Sequence, residues 1–139
     1  MSRLIGLDVG DVRIGVAVSD PERILATPLC VIRRVGWGPD CQKIMEICRE
    51  YDTLEVVSGL PLNMDGTEGF QAGKVRGLCG QLEKRGVSVY YQDERLSTVE
   101  AEDALIEGGV DRHGRKQVVD KVAAAVILQS YLDEHALRP

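Results

Sequence analysis

LIGLDVGDVRIGVAVSD, Leu4 to Asp20, reads as two strands joined by a tight turn. Leu4 to Val9 is apolar enough to be buried on both faces, and Gly10 permits a turn or a close approach without a Cβ clash. Arg13 to Ser19 then alternates Ile14, Val16 and Val18 with small residues, the pattern of a paired antiparallel strand. Asp8 therefore falls near a strand end on a predicted hairpin. An acid there is either an ordinary turn residue or the first member of a metal or phosphate site, and other segments have to decide.

Working outward, Leu25 to Val35 predicts a third strand, entered past Pro21 and left at Gly36-Trp37-Gly38-Pro39. Pro39 suits a helix's first turn, and Ile44, Ile47, Cys48 and Tyr51 follow at helical spacing. Leu54 to Gly59 is a short buried strand, and Leu60 to Gly66 is rich in turn formers yet carries three large apolar side chains. A second helix opens at or near Thr67 and stops at Gly86, with Val75, Leu78, Cys79 and Leu82 on one stripe. Val87 to Tyr91 is the fifth strand. Ser97 to Glu100 has the S-x-x-E form of a capping box that starts a third helix. Gly108 to Gly114 reads as a mobile loop, and Gln117 to His135 as a final helix. The order βββαβαβαα predicts a mixed α/β sheet of five strands: an antiparallel meander, then parallel helix-linked strands, flanked by helices. That is the element order of the ribonuclease H-like fold. Ligands in such sheets gather outside the carboxyl ends of strands.

A chain of 139 residues with 44% hydrophobic and 28% charged residues is expected to be one soluble domain, residues 1–139. It has no membrane-length apolar run, and Met1-Ser2-Arg3 leads straight into the first strand without a secretory signal pattern, so the expected compartment is the cytoplasm. Cys30, Cys41, Cys48 and Cys79 contain no CxxC pair and lie far in sequence from His113 and His135, which argues against zinc and for reduced core cysteines. The net charge of −5 argues against unspecific coating of nucleic acid. It leaves room for a local basic surface, with Arg112 to Lys116 and Lys121 the leading candidate and Lys74, Arg76, Lys84 and Arg85 on another element.

Phosphodiester hydrolysis by a two-metal route needs converging carboxylates, because hard ions such as Mg²⁺ or Mn²⁺ prefer oxygen ligands. Asp8 supplies one from the first strand, Asp93 or Glu94 one from the end of the fifth, and Asp120 one from the first turns of the last helix. Asp120 interrupts the apolar run from Val118 to Ala125, whose alanines permit close approach to the sheet. Each also has a plain structural explanation. Asp120 suits the positive end of a helix dipole, and Asp93-Glu94 can be a turn with Glu94 paired to Arg95. Arg95 and Ser97 are placed to contact phosphate oxygens, although Ser97 already serves as an N-cap. Arg13 is expected to pair with Asp8 or Asp11. Whether Asp93 or Glu94 turns inward stays open, since a one-residue shift exchanges the faces.

The segments LDVGDVRIGVAVSD (Leu7 to Asp20), GLPLNMDGTEG (Gly59 to Gly69), DERLSTVEAEDAL (Asp93 to Leu105) and VVDKVAAAVILQSYLD (Val118 to Asp133) resemble the YqgF, or RuvX, family. Its members are described as candidate pre-16S ribosomal RNA nucleases and as Holliday junction resolvase-like proteins. The resemblance spans nearly the whole chain in order. It implies a ribonuclease H-like fold and a metal-dependent endonuclease that trims the 5′ end of 16S ribosomal RNA precursor, with Mg²⁺ or Mn²⁺ as cofactor. It carries the family's acids to Asp8, Glu94 and Asp120 as catalytic and metal-binding residues. RuvC resolvases take their second acid from the fourth strand instead, where this chain has Gly59-Leu60-Pro61. The chain also departs from the family pattern after Gly10, where Asp11 and Val12 replace a small hydroxyl residue and a basic one. Asp11 is therefore expected either to join the metal site or to repel substrate.

The expected partner is nucleic acid, pre-16S ribosomal RNA ahead of branched DNA, held by Arg95, Ser97, Arg115 and Lys116. No membrane partner is expected, and monomer and homodimer both remain open. Two other classes compete. Actin-like ATPases share the D-x-G hairpin but close two such domains around ATP. A non-catalytic nucleic-acid-binding or ribosome-assembly module would keep the fold without turnover.

Overall fold

The computed structural model describes residues 2–94 and 112–135, with 112–118 described by backbone alone. Five strands form one sheet: β1 (Ile5–Val9), β2 (Arg13–Ser19), β3 (Ala26–Arg33), β4 (Glu55–Leu60) and β5 (Ser88–Asp93), in the order β3-β2-β1-β4-β5. β1 and β2 pair antiparallel, as do β2 and β3, whereas β4 runs parallel to both β1 and β5. Among the described residues, three helices accompany them: α1 (Trp37–Glu50), α2 (Phe70–Lys84) and α3 (Arg112–Glu134). The predicted meander followed by helix-linked parallel strands is the observed architecture. The helix predicted from Ser97 lies outside the described residues.

Alternation along the strands separates two faces. Ile5, Leu7, Val9, Ile14, Val16, Val18 and Val56 face α1 and α2, where Ile44, Cys48, Val75, Leu78 and Leu82 complete the larger core. Each fully buried aliphatic side chain there contributes about 1.5–3 kcal/mol. The opposite face carries Ala17 and Val57 beneath Ala124, Ala125, Ile127 and Leu128 of α3. All four cysteines are free, and Cys41, Cys48 and Cys79 are buried. Burial pushes the Cys48 thiol up to about 11, so it behaves as a small apolar side chain.

α3 lies unusually close to the sheet because the strands beneath it carry glycine. A Cβ on Gly15 would come within 1.8 Å of the Asp120 carbonyl oxygen, and one on Gly6 within 2.8 Å of the Leu128 Cβ. On the far side of the hairpin, Arg34 donates to the Gly10 carbonyl at 3.0 Å and to the buried Asp40 carboxylate at 3.1 Å. Asp40 also accepts from the Val35 N–H at 3.0 Å. Burial alone would raise the Asp40 pKa, but the Val35 and Arg34 hydrogen bonds outweigh it and hold the carboxyl below its usual range. The β1–β2 turn is thereby anchored to the end of β3.

Element boundaries moved where pairing or turn chemistry outweighed composition. β5 runs to Asp93 rather than Tyr91 because β4 continues to Leu60 and offers it partners, Gly59 opposite Gln92 and Leu60 opposite Asp93. α2 opens at Phe70 rather than Thr67, since Thr67 is engaged in a turn, its N–H and hydroxyl both donating to Asp65 Oδ1. The largest correction concerns Arg112 to Lys116. Arg112 to Gly114, expected in a mobile loop, and Arg115 and Lys116, expected ahead of the final helix, are the opening turns of α3. Arg, Lys and Gln are good helix formers, and the single interior Gly114 costs only about 1 kcal/mol.

The packing seam yields a direct test. Gly15→Ala pushes a methyl group into main-chain atoms of α3 that cannot rotate away. Urea unfolding should show a loss of about 3 kcal/mol, whereas an unchanged midpoint would mean that α3 does not sit this close to β2.

Candidate active site

Asp8 is the fourth residue of β1 and stands directly opposite Gly15 of β2. It shares the α3 face with Gly6, over which Leu128 and the Ala124 carbonyl of α3 lie. One strand over, Gly59 in β4 lies across from Gln92, and a Cβ there would come within 2.2 Å of Glu94 Oε2 and 2.6 Å of Ile127 Cδ1. Glu94 follows β5, its N–H reaching the Leu60 carbonyl at 3.4 Å. Alternation continues through it: Tyr90 stacks on Tyr131 of α3, Gln92 donates to Glu134 of α3, and Glu94 turns the same way. Tyr91 packs on the opposite core and Asp93 is exposed. Glu94, not Asp93, is therefore the acid on the α3 face.

Asp8 and Glu94 meet and share a hydrogen bond. Burial raises the Glu94 pKa first, the negative charge of Asp8 next, then the Asp8 hydrogen bond and the charge of Asp93, together to about 8. Burial also raises Asp8, opposed by the hydrogen bond from Glu94 and reinforced by the charge of Asp120. Glu94 therefore holds its proton more tightly than an ordinary glutamate does, hydrogen-bonded to Asp8. Two buried carboxyls on one face, with Glu94 raised further by the charge of Asp8, are a pattern that a cation site presents in chemical terms.

Asp120 is near enough for its charge to be felt at Asp8, but its carboxylate is held elsewhere. Arg13 Nε donates to Asp120 Oδ2 at 2.5 Å, with side-chain exposures of 31% and 24%. The expected pairing of Arg13 with Asp8 or Asp11 is corrected by this contact. Arg13, Gly15 and Ala17 alternate onto the α3 face of β2, and the close approach at Gly15 brings Asp120 over the strand beside Arg13. Among the described residues, no three His, Cys, Asp or Glu side chains gather into a group that would hold a metal ion as they stand. The structure joins two of the three predicted acids and keeps the third alongside, on an arginine. The oxygen donors of Asp8 and Glu94 suit a hard divalent ion.

Asp11 stands apart from the acid pair. Its carboxylate accepts from Lys74 Nζ at 3.1 Å and from Gln71 Nε2 at 3.1 Å, which ties it to α2. These two hydrogen bonds, with smaller help from the charges of Lys74 and Arg34, lower its pKa. Arg95 and Ser97 lie outside the described residues, as do the side chains of Arg115 and Lys116, whose backbone is in α3. Sequence reasoning overlooked Gly59 as the residue that makes room for Glu94. A glycine inside a buried strand is the available signal, since it commonly marks a close approach.

The family model for RuvX, described as Holliday junction resolvase, matches residues 2–134. The "Putative pre-16S rRNA nuclease" of Clostridium tetani is 48% identical over 132 residues, covering 94% of this chain and 96% of that protein. Among solved structures, Thermus thermophilus RuvC in complex with a Holliday junction substrate aligns with a TM-score of 0.58 at 15% identity, covering 98% of this chain and 97% of that one. The Fowlpox virus resolvase, solved with Holliday junction DNA, aligns with a TM-score of 0.57 at 12% identity over 97% of this chain and 99% of that one. At such identities the two structures establish the RuvC-like, ribonuclease H-like fold. With nearly half of its residues shared with a full-length relative and the family match running almost end to end, this chain belongs to the RuvX family.

Proposed function

We propose that this chain is a metal-dependent endonuclease that hydrolyses phosphodiester bonds, acting in 5′-end processing of pre-16S ribosomal RNA. The observation that carries the reading is the gathering of Asp8, Glu94 and Asp120 on the α3 face of a RuvC-like sheet. The RNA assignment draws on the printed name of relatives such as that of Clostridium tetani. Branched DNA is the second substrate to consider, because the family description names Holliday junction resolvase.

Asp8 and Glu94 are the residues that would hold Mg²⁺ or Mn²⁺, with Asp120 as a third ligand. When bound, such an ion supplies positive charge beside the scissile phosphate and a more acidic water. The chain's own contributions are then separable. Glu94 would give up its proton to become an oxygen donor, Gly59 makes room for its carboxyl and Gly15 for the α3 backbone that carries Asp120, and Ile127 walls one side with apolar surface. Arg115 and Lys116, in the opening turns of α3, are assigned to the nucleic-acid backbone, together with Arg95 and Ser97.

Cleavage of precursor ribosomal RNA and of a four-way DNA junction, each with Mg²⁺ or Mn²⁺, tests this reading. Asp8→Asn and Glu94→Gln should each lower the rate about a hundredfold or more, and chelation should abolish it. Cleavage that survives both Asp8→Asn and chelation would sink the proposal. Absence of cleavage with retained RNA binding would favour the assembly-module reading. Replacing Arg115 and Lys116 together by Ala should weaken binding and reduce the salt slope by about two, and an unaltered slope would remove them from the interface.

The acid pair also predicts a pH dependence that needs no substrate. A carboxyl raised from 4.5 to about 8 in the folded protein is fully compatible with folding below its unfolded value. It subtracts stability progressively as pH rises through the folded one. In chelator, wild type should lose stability between about pH 5 and pH 8. Glu94→Gln should remove that decline and be more stable at pH 8 by on the order of 1–2 kcal/mol. Parallel pH profiles for the two proteins would show that Glu94 ionises normally.

A further inference from the structure

We propose that Arg13 is a built-in competitor for the divalent cation, occupying Asp120 in the cation-free protein and thereby setting how tightly the site takes up metal. This rests on the reading of Asp8, Glu94 and Asp120 as cation ligands, and it assigns to Arg13 a role that neither the fold nor that reading requires.

Three observations carry it. Arg13 Nε bonds Asp120 Oδ2 at 2.5 Å, so one of the three acids is already neutralised by an organic cation. Register places that cation next to the acid pair: Asp8 is opposite Gly15, and Arg13 projects from the same face of β2, two residues before it. The ion pair is neither sealed nor fully solvated, with about a quarter to a third of each side chain exposed, so an ion arriving from solvent can reach it. The guanidinium thus lies on the acid whose negative charge is felt at Asp8, which a divalent ion held there would also have to answer. Arginine suits the task because it does not deprotonate in proteins, so its charge is present at every working pH. Charge balance gives the consequence. With Arg13 the cluster meets a dication carrying one positive charge of its own, and without it the full negative charge of Asp120 is available.

Calorimetric titration of the full chain with Mn²⁺ tests this. Arg13→Gln should lower the Mn²⁺ Kd by roughly five- to tenfold relative to wild type. Arg13→Lys keeps a charge but loses the planar fork, and should lower it roughly twofold. In chelator Arg13→Gln should melt below wild type, and the rise in melting temperature on adding Mn²⁺ should exceed that of wild type. If wild type binds Mn²⁺, Asp8→Asn abolishes binding, and Arg13→Gln binds equally or more weakly, Arg13 is scaffold or a supporting residue and this inference is overturned while the site stands. If Mn²⁺ binding is absent from wild type, or persists in Asp8→Asn, the cation site itself is wrong and both readings fall. Should Arg13→Gln not fold, Arg13→Lys decides, and a Kd equal to wild type overturns the inference.

Discussion

The contact on which the rest depends is the approach of the α3 backbone to β2 at Gly15. No other residue fits opposite Asp8, because the Asp120 carbonyl occupies the space where any Cβ would stand. That approach fixes the height of α3 above the sheet, and so fixes where Asp120 can reach. It lets a helix residue and a strand residue more than a hundred positions apart place their charges within mutual range. Ala123 and Ala124 serve the same end, since both are fully buried against the sheet with minimal side chains. A helix with larger residues there would ride higher, and Asp120 would lie beyond Asp8.

Once the three acids are brought to one face, electrostatics becomes the governing problem. Burial disfavours ionising Asp8 and Glu94, and the charge of Asp8 raises Glu94 further, while Arg13 pairs with Asp120. The charge of the cluster is thus partly answered from within the chain, by a hydrogen bond between two carboxyls and by one guanidinium. The larger apolar core, against α1 and α2, lies on the opposite face of the sheet from these acids.

Much of this was legible from residue order. Period-two alternation over Arg13 to Ser19 located β2 to the residue, since a half-buried strand leaves an unambiguous pattern. The acids Asp8, Glu94 and Asp120 stood out because a carboxylate inside an apolar run needs a reason. What could not be read was which way Glu94 turned, because the answer lay in the length of β4. Leu60 carries the ladder to Asp93 and so sets the alternation that points Glu94 at α3. The partner of Arg13 was likewise out of reach. Asp11 is near in sequence, but the competing partner arrives from a helix 107 positions away. The start of α3 was misjudged for a different reason. Glycine at 114 is a punctuation mark only where tertiary packing does not override it, and propensity is too weak a prior to settle a helix end.

The departure at Asp11 takes on another meaning when its contacts are weighed. A carboxylate replacing a residue expected to meet phosphate would repel a polyanion if it faced the substrate bare. Lys74 and Gln71 instead cover it from α2, so the turn presents a neutralised pair rather than a negative charge. The substitution and its compensation lie on different elements, which is why the turn sequence alone suggested a defect. In a protein of net charge −5, a carboxylate paired to a cation repels a polyanion less than a bare one. Asp11 is paired to Lys74 and Asp120 to Arg13, while Asp8 and Glu94 are hydrogen-bonded to each other. The two ion pairs differ in place: Arg13 lies on the α3 face with the acids, whereas Lys74 belongs to α2, so the charge of Asp11 is answered independently of whatever happens at Asp120.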